Sequence, residues 1–316
     1  MEERKKCISI LVPTFNEEEN VVPLSAAIIA EFATALPQYD YEILFIDNCS
    51  TDGTRAKIAQ LCAENPNIRA IFNARNFGQF NSPYYGICQT HGDCTIPLCA
   101  DFQDPIEMIP TLVKKWEEGY KIVCAVKSSS RENKVMRFLR TCYYKMISRM
   151  SSVKQIEHFT GFGLYDRSFV EVLRGLDDPT PFIRGIVAEL GYARVEVPYE
   201  QARRRAGKTH NNFSSLYDAA MLSFTTYTKT PIRACMGFGF FFLFASVLGA
   251  LAGLIYTCLG HSLGYRWLFP FVGFLAALQL LFLSIVGEYV LTLRSKILHR
   301  PLVIEERRLN FPKEGE

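Results

Sequence analysis

The sequence contains no glycine-rich phosphate loop: neither GxGxxG nor GxxxxGK(S/T) occurs in its 316 residues. That disfavours a dinucleotide site and ATP cleavage, since both seat a pyrophosphate on such a loop at a helix N-terminus. The basic start, Met1-Glu2-Glu3-Arg4-Lys5-Lys6, is followed by no apolar stretch of signal-peptide type, so no signal peptide is expected. Ten cysteines are present without paired metal-ligand spacing. Several, such as Cys7, Cys49, Cys99 and Cys124, fall in or beside predicted strands, which points to buried free thiols in a reducing compartment. A net charge of +3 is too small to imply a nucleic-acid partner.

Charge is missing altogether from two long segments, 236–260 and 267–287. Each is long enough to cross a hydrocarbon core of about 30 Å at about 1.5 Å per residue. The link 261–266 is short, so the pair is expected to form an antiparallel transmembrane hairpin in the lipid bilayer. Lys229, Arg233, Arg294, Lys296 and Arg300 lie outside it, against Arg266 and one His in its tip. By the positive-inside rule both termini are then cytoplasmic, in a multi-pass protein of the cell (inner) membrane. Gly249, Ala250 and Gly253 offer a face for another helix and leave a homo-oligomer open.

The first half of the chain is rich in apolar runs that alternate with helical patterns. Strands are predicted over 7–12, 41–46, 68–72, 95–99 and 121–126. Helices are predicted after 20, up to about 64, from Pro83, and over 105–118. This alternation argues a mostly parallel sheet with right-handed crossovers. Asn16 or Asn20 is the expected cap of the first helix and Ser50 or Thr51 of the second. Further on, 158–165 and 195–199 read as strands and 182–190 as a helix.

Polar residues recur at the ends of successive strands: 13–17, Asp47, Arg75 and Asp101. In an open α/β sheet one crevice collects such residues. The most informative stretch is Leu98-Cys99-Ala100-Asp101-Phe102-Gln103-Asp104-Pro105. Asp104 reads as the cap of the next helix. Asp101 and Gln103 are hard oxygen ligands suited to Mg²⁺ or Mn²⁺, ions that bind together with substrate phosphates. Two basic amphipathic stretches follow, 135–150 and 213–227; the second leads into the hairpin and is expected to lie in the membrane interface. Between them, 201–212 carries Arg203, Arg204, Arg205 and Lys208, a set suited to clamping phosphate.

Taken in order, Val12-Pro13-Thr14-Phe15-Asn16-Glu17, Ile46-Asp47 through Gly53-Thr54, Arg75-Asn76-Phe77-Gly78, Ala100 through Pro105, Arg205-Ala206-Gly207-Lys208-Thr209 and Gly287-Glu288-Tyr289 resemble the membrane-anchored family 2 glycosyltransferases, in the polyprenyl-phosphate group that includes bactoprenol glucosyl transferases and dolichol-phosphate mannose synthases. The resemblance covers nearly the whole chain. It implies a GT-A fold (Rossmann-like, mostly parallel sheet) and a nucleotide-diphosphate sugar donor. It places Pro13, Phe15, Glu17, Asp47 and Arg75 at the nucleotide. It makes Asp101 the catalytic metal ligand with Gln103, and Arg131, Arg137, Arg205 and Lys208 the holders of the acceptor phosphate.

The implied reaction is inverting transfer of a hexose, glucose from UDP-glucose by default, to a polyisoprenyl phosphate such as undecaprenyl phosphate. A dolichol-phosphate mannose synthase-like enzyme and a non-catalytic scaffold or sensor are the alternatives. The chain departs from the family where it has Asn48 for a second Asp, Cys99 for the first Asp of Asp-Ala-Asp, and Gln79 for a Lys. It departs again at Gly161-Phe162-Gly163-Leu164, where Asp-Phe-Arg-Leu is common. The expected organisation is a cytosolic catalytic domain over 1–212, a juxtamembrane helix over 213–233, the hairpin over 234–295 and a cytosolic tail over 296–316.

Overall fold

The computed structural model describes residues 4–129, 156–176, 178–202, 204–205, 268–297 and 300–311, with scattered positions from 221 to 259. These residues fall into two compact units, one holding a sheet and the other an apolar helical segment.

The first unit is built on β1 (Cys7–Thr14), α1 (Val21–Ala35), β2 (Asp40–Asp47), α2 (Thr54–Glu64), β3 (Ile68–Asn73), α3 (Gly78–Gln89) and β4 (Cys94–Pro97). A short 3₁₀ turn, Ile106–Met108, leads into α4 (Ile109–Glu117) and β5 (Ile122–Ser129). Then come β6 (Phe159–Asp166), α5 (Arg167–Gly175), α6 (Ile183–Glu189) and β7 (Arg194–Glu200). The apolar helix α7 (Leu268–Ile297) belongs to the second unit, and β8 (Glu305–Leu309) returns to the first.

The sheet has eight strands in the order β7-β5-β6-β4-β1-β2-β3-β8. Pairings β4-β1, β1-β2, β2-β3 and β5-β7 are parallel, and only β6 and β8 run against the others. The mostly parallel Rossmann-like sheet of GT-A type expected from the sequence is therefore present. Strands β1 and β2 read as continuous apolar runs because both faces are covered. Ile8, Ile10, Val12, Ile43 and Phe45 pack on one face with Leu24, Ile28 and Trp116. Leu11, Leu44, Ile46 and Ile71 pack on the other with Tyr84, Ile87 and Phe169.

Gly163 lets β6 enter the sheet: a Cβ there would meet Val123 O at 2.2 Å. No larger residue fits without moving β5, which accounts for glycine at this departure from the family pattern.

Several local expectations are corrected. The α2 N-cap is Gly53, with Asp52 Oδ1 accepting from Thr54 N–H (3.0 Å); the Ser50 and Thr51 hydroxyls are used elsewhere. Asn20 occupies the α1 N-cap, but its side chain makes no capping bond. Helix α3 begins at Gly78, so Pro83 lies inside it at the cost of one backbone hydrogen bond. Among the described residues Cys124 is buried as expected, whereas Cys99 is exposed and Cys7 and Cys49 are half-buried. The stretch after α7, read from sequence as a tail, contains β8, antiparallel to β3.

In the second unit one helix is long and apolar enough to cross a membrane: the window Phe274–Leu291 has none of its residues buried. Described positions 238–259 are also apolar and exposed, among them Phe240, Phe241, Leu251 and Leu259. Stretch 135–150, most of 213–236, and Ala250 and Gly253 lie outside the described residues.

Candidate active site

The strands β4, β1, β2 and β3 are neighbours and parallel, so the loops after them emerge along one edge of the sheet. Strand order reverses at β1, because β2 lies on one side of it and β4 on the other. Loops diverge at such a switch point, and α/β sheets bind ligands there.

The loops after β1 and β2 are interlocked. Backbone N–H groups of Asn16, Glu17 and Glu18 donate to Ser50 Oγ (2.8 Å), Thr54 Oγ1 (2.8 Å) and Asp52 Oδ2 (3.3 Å). In return Thr51 N–H donates to Asn16 Oδ1 (2.8 Å) and Gly53 N–H to Glu18 Oε2 (2.8 Å). A Cβ at 53 would lie 2.5 Å from that same carboxylate oxygen, so a larger residue there would displace the Glu18 side chain. Pro13, Phe15 and Glu17 are half-buried along this edge, and Glu17 Oε2 accepts from Asn20 Nδ2 (2.6 Å).

Asp47 ends β2 and is fully buried. Its Oδ1 accepts from the Ser50 hydroxyl, and its Oδ2 from Ser50 N–H (3.0 Å). Arg55 Nε stands 3.4 Å from Oδ2. Burial pushes the Asp47 carboxyl above its ordinary range, and Ser50 and Arg55 oppose that rise. With no exposed surface, Asp47 is held within the 47–50 turn by these bonds.

Asn48, which departs from the family pattern in sequence, is the hub of the next loop. Its amide donates to Asn76 Oδ1 (2.9 Å) and Gly78 O (3.2 Å), and its oxygen accepts from Phe77 N–H (2.9 Å) and Asn73 Nδ2 (3.2 Å). A carboxylate could not make the two donor bonds. Arg75 projects from this loop, exposed, with its guanidinium 4.1 Å from the Phe77 ring centroid.

The acidic stretch forms the opposite corner. Asp101 is 5% exposed; its Oδ1 accepts from Gln103 N–H (3.1 Å), and its Oδ2 pairs with Arg204 at 2.8 Å. Residues after β7 reach this stretch through Ala202 N–H to Gln103 O (3.2 Å) and Arg205 N–H to Asp101 O (3.1 Å). Arg205 also stacks over Phe102, at 5.1 Å. Asp104 is turned away and does not cap a helix: it accepts from Cys99 N–H (3.1 Å) and the Tyr199 hydroxyl (3.2 Å), and burial raises its pKa. Arg131, Arg137 and Lys208, expected at the acceptor phosphate, lie outside the described residues.

A divalent ion fits this corner only in part. Among the described residues no group of three His, Cys, Asp or Glu side chains converges on one point. One carboxylate, Asp101, and one amide, Gln103, remain. That set suits a hard ion completing its shell with substrate phosphate oxygens and water, the usual habit of Mg²⁺.

An open α/β sheet with interlocked loops at its switch point and a carboxylate–arginine corner beside them is the ligand-binding edge of a Rossmann-like fold. Comparison with known proteins agrees. The family model "Glycosyl transferase family 2" matches residues 9–174, and the chain belongs to that family and is a glycosyltransferase. It is 33% identical over 300 residues to the bactoprenol glucosyl transferase of Shigella phage SfV, covering 94% of this chain and 97% of that one. It is 32% identical over 285 residues to the putative glycosyltransferase CsbB of Bacillus subtilis (90% of this chain, 86% of that one). Among solved structures it is similar to glucosyl-3-phosphoglycerate synthase from Mycobacterium tuberculosis in complex with Mn²⁺, UDP and phosphoglyceric acid. There the identity is 18%, with a TM-score of 0.49 over 70% of this chain and 77% of that one.

Proposed function

We propose that this glycosyltransferase moves a hexose, glucose favoured, from a nucleotide-diphosphate sugar, UDP-glucose favoured, to a polyisoprenyl phosphate, undecaprenyl phosphate favoured. The observation that carries the reading is the match to a bactoprenol glucosyl transferase along almost the full length of both chains. Pro13, Phe15, Glu17 and Arg75 line the nucleotide, with Asp47 holding the turn beneath it. Asp101 and Gln103 hold Mg²⁺ or Mn²⁺ at the diphosphate. Arg131, Arg137, Arg205 and Lys208 hold the acceptor phosphate.

The acceptor is already an anion near neutral pH, so its attack on the anomeric carbon needs no strong general base. One phosphate oxygen forms the new C–O bond as the bond to the nucleotide diphosphate breaks, and the sugar inverts. The chain's own task is positioning and the offsetting of anion–anion repulsion by arginine. A bound divalent ion supplies neutralisation of the departing diphosphate.

The same reading makes the protein a multi-pass membrane protein, with its catalytic unit and both termini cytoplasmic. Two features support it. Helix α7 has membrane-crossing length and composition. Strand β8, beyond α7, joins the same sheet as β1 to β7, which accords with an even number of crossings by the segment between them. The proposed domain limits are 1–212 for the catalytic domain, 213–233 for the juxtamembrane helix and 234–295 for the hairpin, with 296–316 cytosolic and returning β8 to the catalytic sheet.

The test is radiolabelled transfer in a membrane assay from a panel of nucleotide sugars to undecaprenyl and dolichyl phosphates, with Mg²⁺ or Mn²⁺. The expected product is lipid-linked glucose from UDP-glucose. Donor binding without a lipid product in any combination would overturn the reading.

A further inference from the structure

The Arg55 guanidinium bridges two carboxylates from opposite ends of the chain. Its Nε stands 3.4 Å from Asp47 Oδ2 on β2, and its terminal nitrogen stands 2.7 Å from Glu306 Oε2 on β8. The two ends of that second bond are 251 residues apart in sequence. Beneath the guanidinium lies the ring of Phe72, buried in β3, with its centroid 5.0 Å away; Arg307 of β8 stacks on the same ring at 5.1 Å. A planar, permanently charged fork meets two acceptors in different directions while resting on an aromatic face, a geometry for which a guanidinium is better preorganised than a flexible ammonium.

The strand that delivers Glu306 is itself locked at both ends. Ala74 N–H donates to Ile304 O (2.9 Å) before it. After it, Asn310, at φ 59°, donates its amide to the carbonyls of Cys62 (2.6 Å) and Ile68 (2.8 Å). The position of Glu306 is therefore fixed by backbone and side-chain bonds on either side of it, and Glu306 in turn fixes one branch of Arg55.

We infer that Glu306 is a positioning residue for the donor: through Arg55 it sets the buried Asp47 and the 47–50 turn, so the strand following the apolar helix completes the nucleoside end of the pocket. The inference rests on the reading above that puts the nucleoside against the ends of β1 and β2. Three facts make the chain of contacts consequential. Asp47 has no access to water that could replace Arg55. The Ser50 hydroxyl and N–H both hang on Asp47, and Ser50 Oγ is the acceptor for Asn16 N–H. A shift of Arg55 is thus transmitted to the loop carrying Phe15 and Glu17 through two hydrogen-bonded residues.

The test uses the full-length chain in detergent, with UDP binding by calorimetry and donor kinetics measured beside thermal melting. Glu306→Ala is expected to weaken UDP binding and raise the donor KM by about two- to fivefold, the size of a partly exposed ion pair. The kcat and the melting temperature stay near wild type, and Glu306→Gln, which keeps an acceptor oxygen, recovers part of the loss. Arg55→Lys should act in the same direction, and adding Glu306→Ala to it should change nothing more, because the two residues act as one unit. Unchanged UDP affinity in Glu306→Ala, or losses that add independently in the double variant, would overturn the positioning role. If the wild-type chain binds no UDP, GDP or other nucleoside diphosphate, the donor-site reading itself falls, and the inference with it.

Discussion

Two buried carboxylates paired to arginine sit at opposite ends of the parallel strands, and their surroundings differ. Glu42, near the start of β2, is 4% exposed and is satisfied from every side. It accepts from the Ser9 hydroxyl, from His91 N–H (3.0 Å) and from Arg69 (2.8 Å), while Ser9 Oγ accepts from Gly92 N–H (2.8 Å). Burial alone would raise its pKa, but the His91 and Ser9 hydrogen bonds and the Arg69 charge outweigh it and hold it at about 2. Asp101, beyond β4, is 5% exposed, and its two oxygens take one backbone N–H and one arginine from the adjoining loop. The first arrangement is closed and ties three strands, β1, β2 and β3, to a loop. The second has fewer partners and draws its arginine from the loop just after β7. Equal burial therefore says little about role; the number and rigidity of the partners separates a fastening from a working group.

The comparison can be broken most directly at Asp101. Asp101→Asn should lower sugar transfer about a thousandfold, a loss of ~4 kcal/mol in transition-state stabilisation, with the melting temperature barely altered. A variant that transfers sugar at a near-normal rate would make Asp101 another fastening. Glu42→Gln should do the reverse, costing about 3 kcal/mol of stability and leaving kcat intact once folded protein is counted.

The pH dependence has a definite sign. Glu42 has a folded pKa of about 2 against an ordinary 4.5, so its contribution is complete above 4.5 and is lost as pH falls from there towards 2. Acid melting curves of the wild type should therefore fall more steeply across that window than those of Glu42→Gln. Equal slopes would show that the network does not hold the charge.

Asn48→Asp probes the ground between the two extremes. It removes two donor bonds and should cost about 2 kcal/mol, seen in the melting temperature, with donor KM rising as the Arg75 loop loosens. The smallest effect is expected from Cys99→Asp. It adds an oxygen ligand two residues before Asp101 and should lower the Mg²⁺ concentration for half-maximal activity a few-fold, read by metal titration of activity and of UDP binding.

The parts of the fold built on covered strands were legible in the sequence. The apolar runs of β1 and β2 and the stripe Val21, Leu24, Ile28 and Phe32 on α1 need no tertiary information, because burial on both faces of a sheet demands them. Edge structure was not legible. Strand β8, Glu305-Glu306-Arg307-Arg308-Leu309, has no apolar alternation because its side chains attach through ion pairs and stacking. The loops were half legible: their motifs marked the region, but not which hydroxyl bonds to which amide. Ser50 and Thr51 look like helix caps in isolation, yet Ser50 serves Asp47 and Asn16, and Thr51 donates to Asn16. Asn48 looked like a weakened carboxylate site because its amide donors matter only when Asn76 and Gly78 fold against it.

Strand β8 also bears on the order in which the molecule is made. A ribosome delivers β1 to β7 first, then the apolar helical segment, and only afterwards the strand that pairs with β3. Until then the outer edge of β3 is an open row of backbone donors and acceptors, the kind of edge that invites mispairing between nascent chains. Strand β8 thus covers the β3 edge only after the greasy part of the chain has already met whatever receives it.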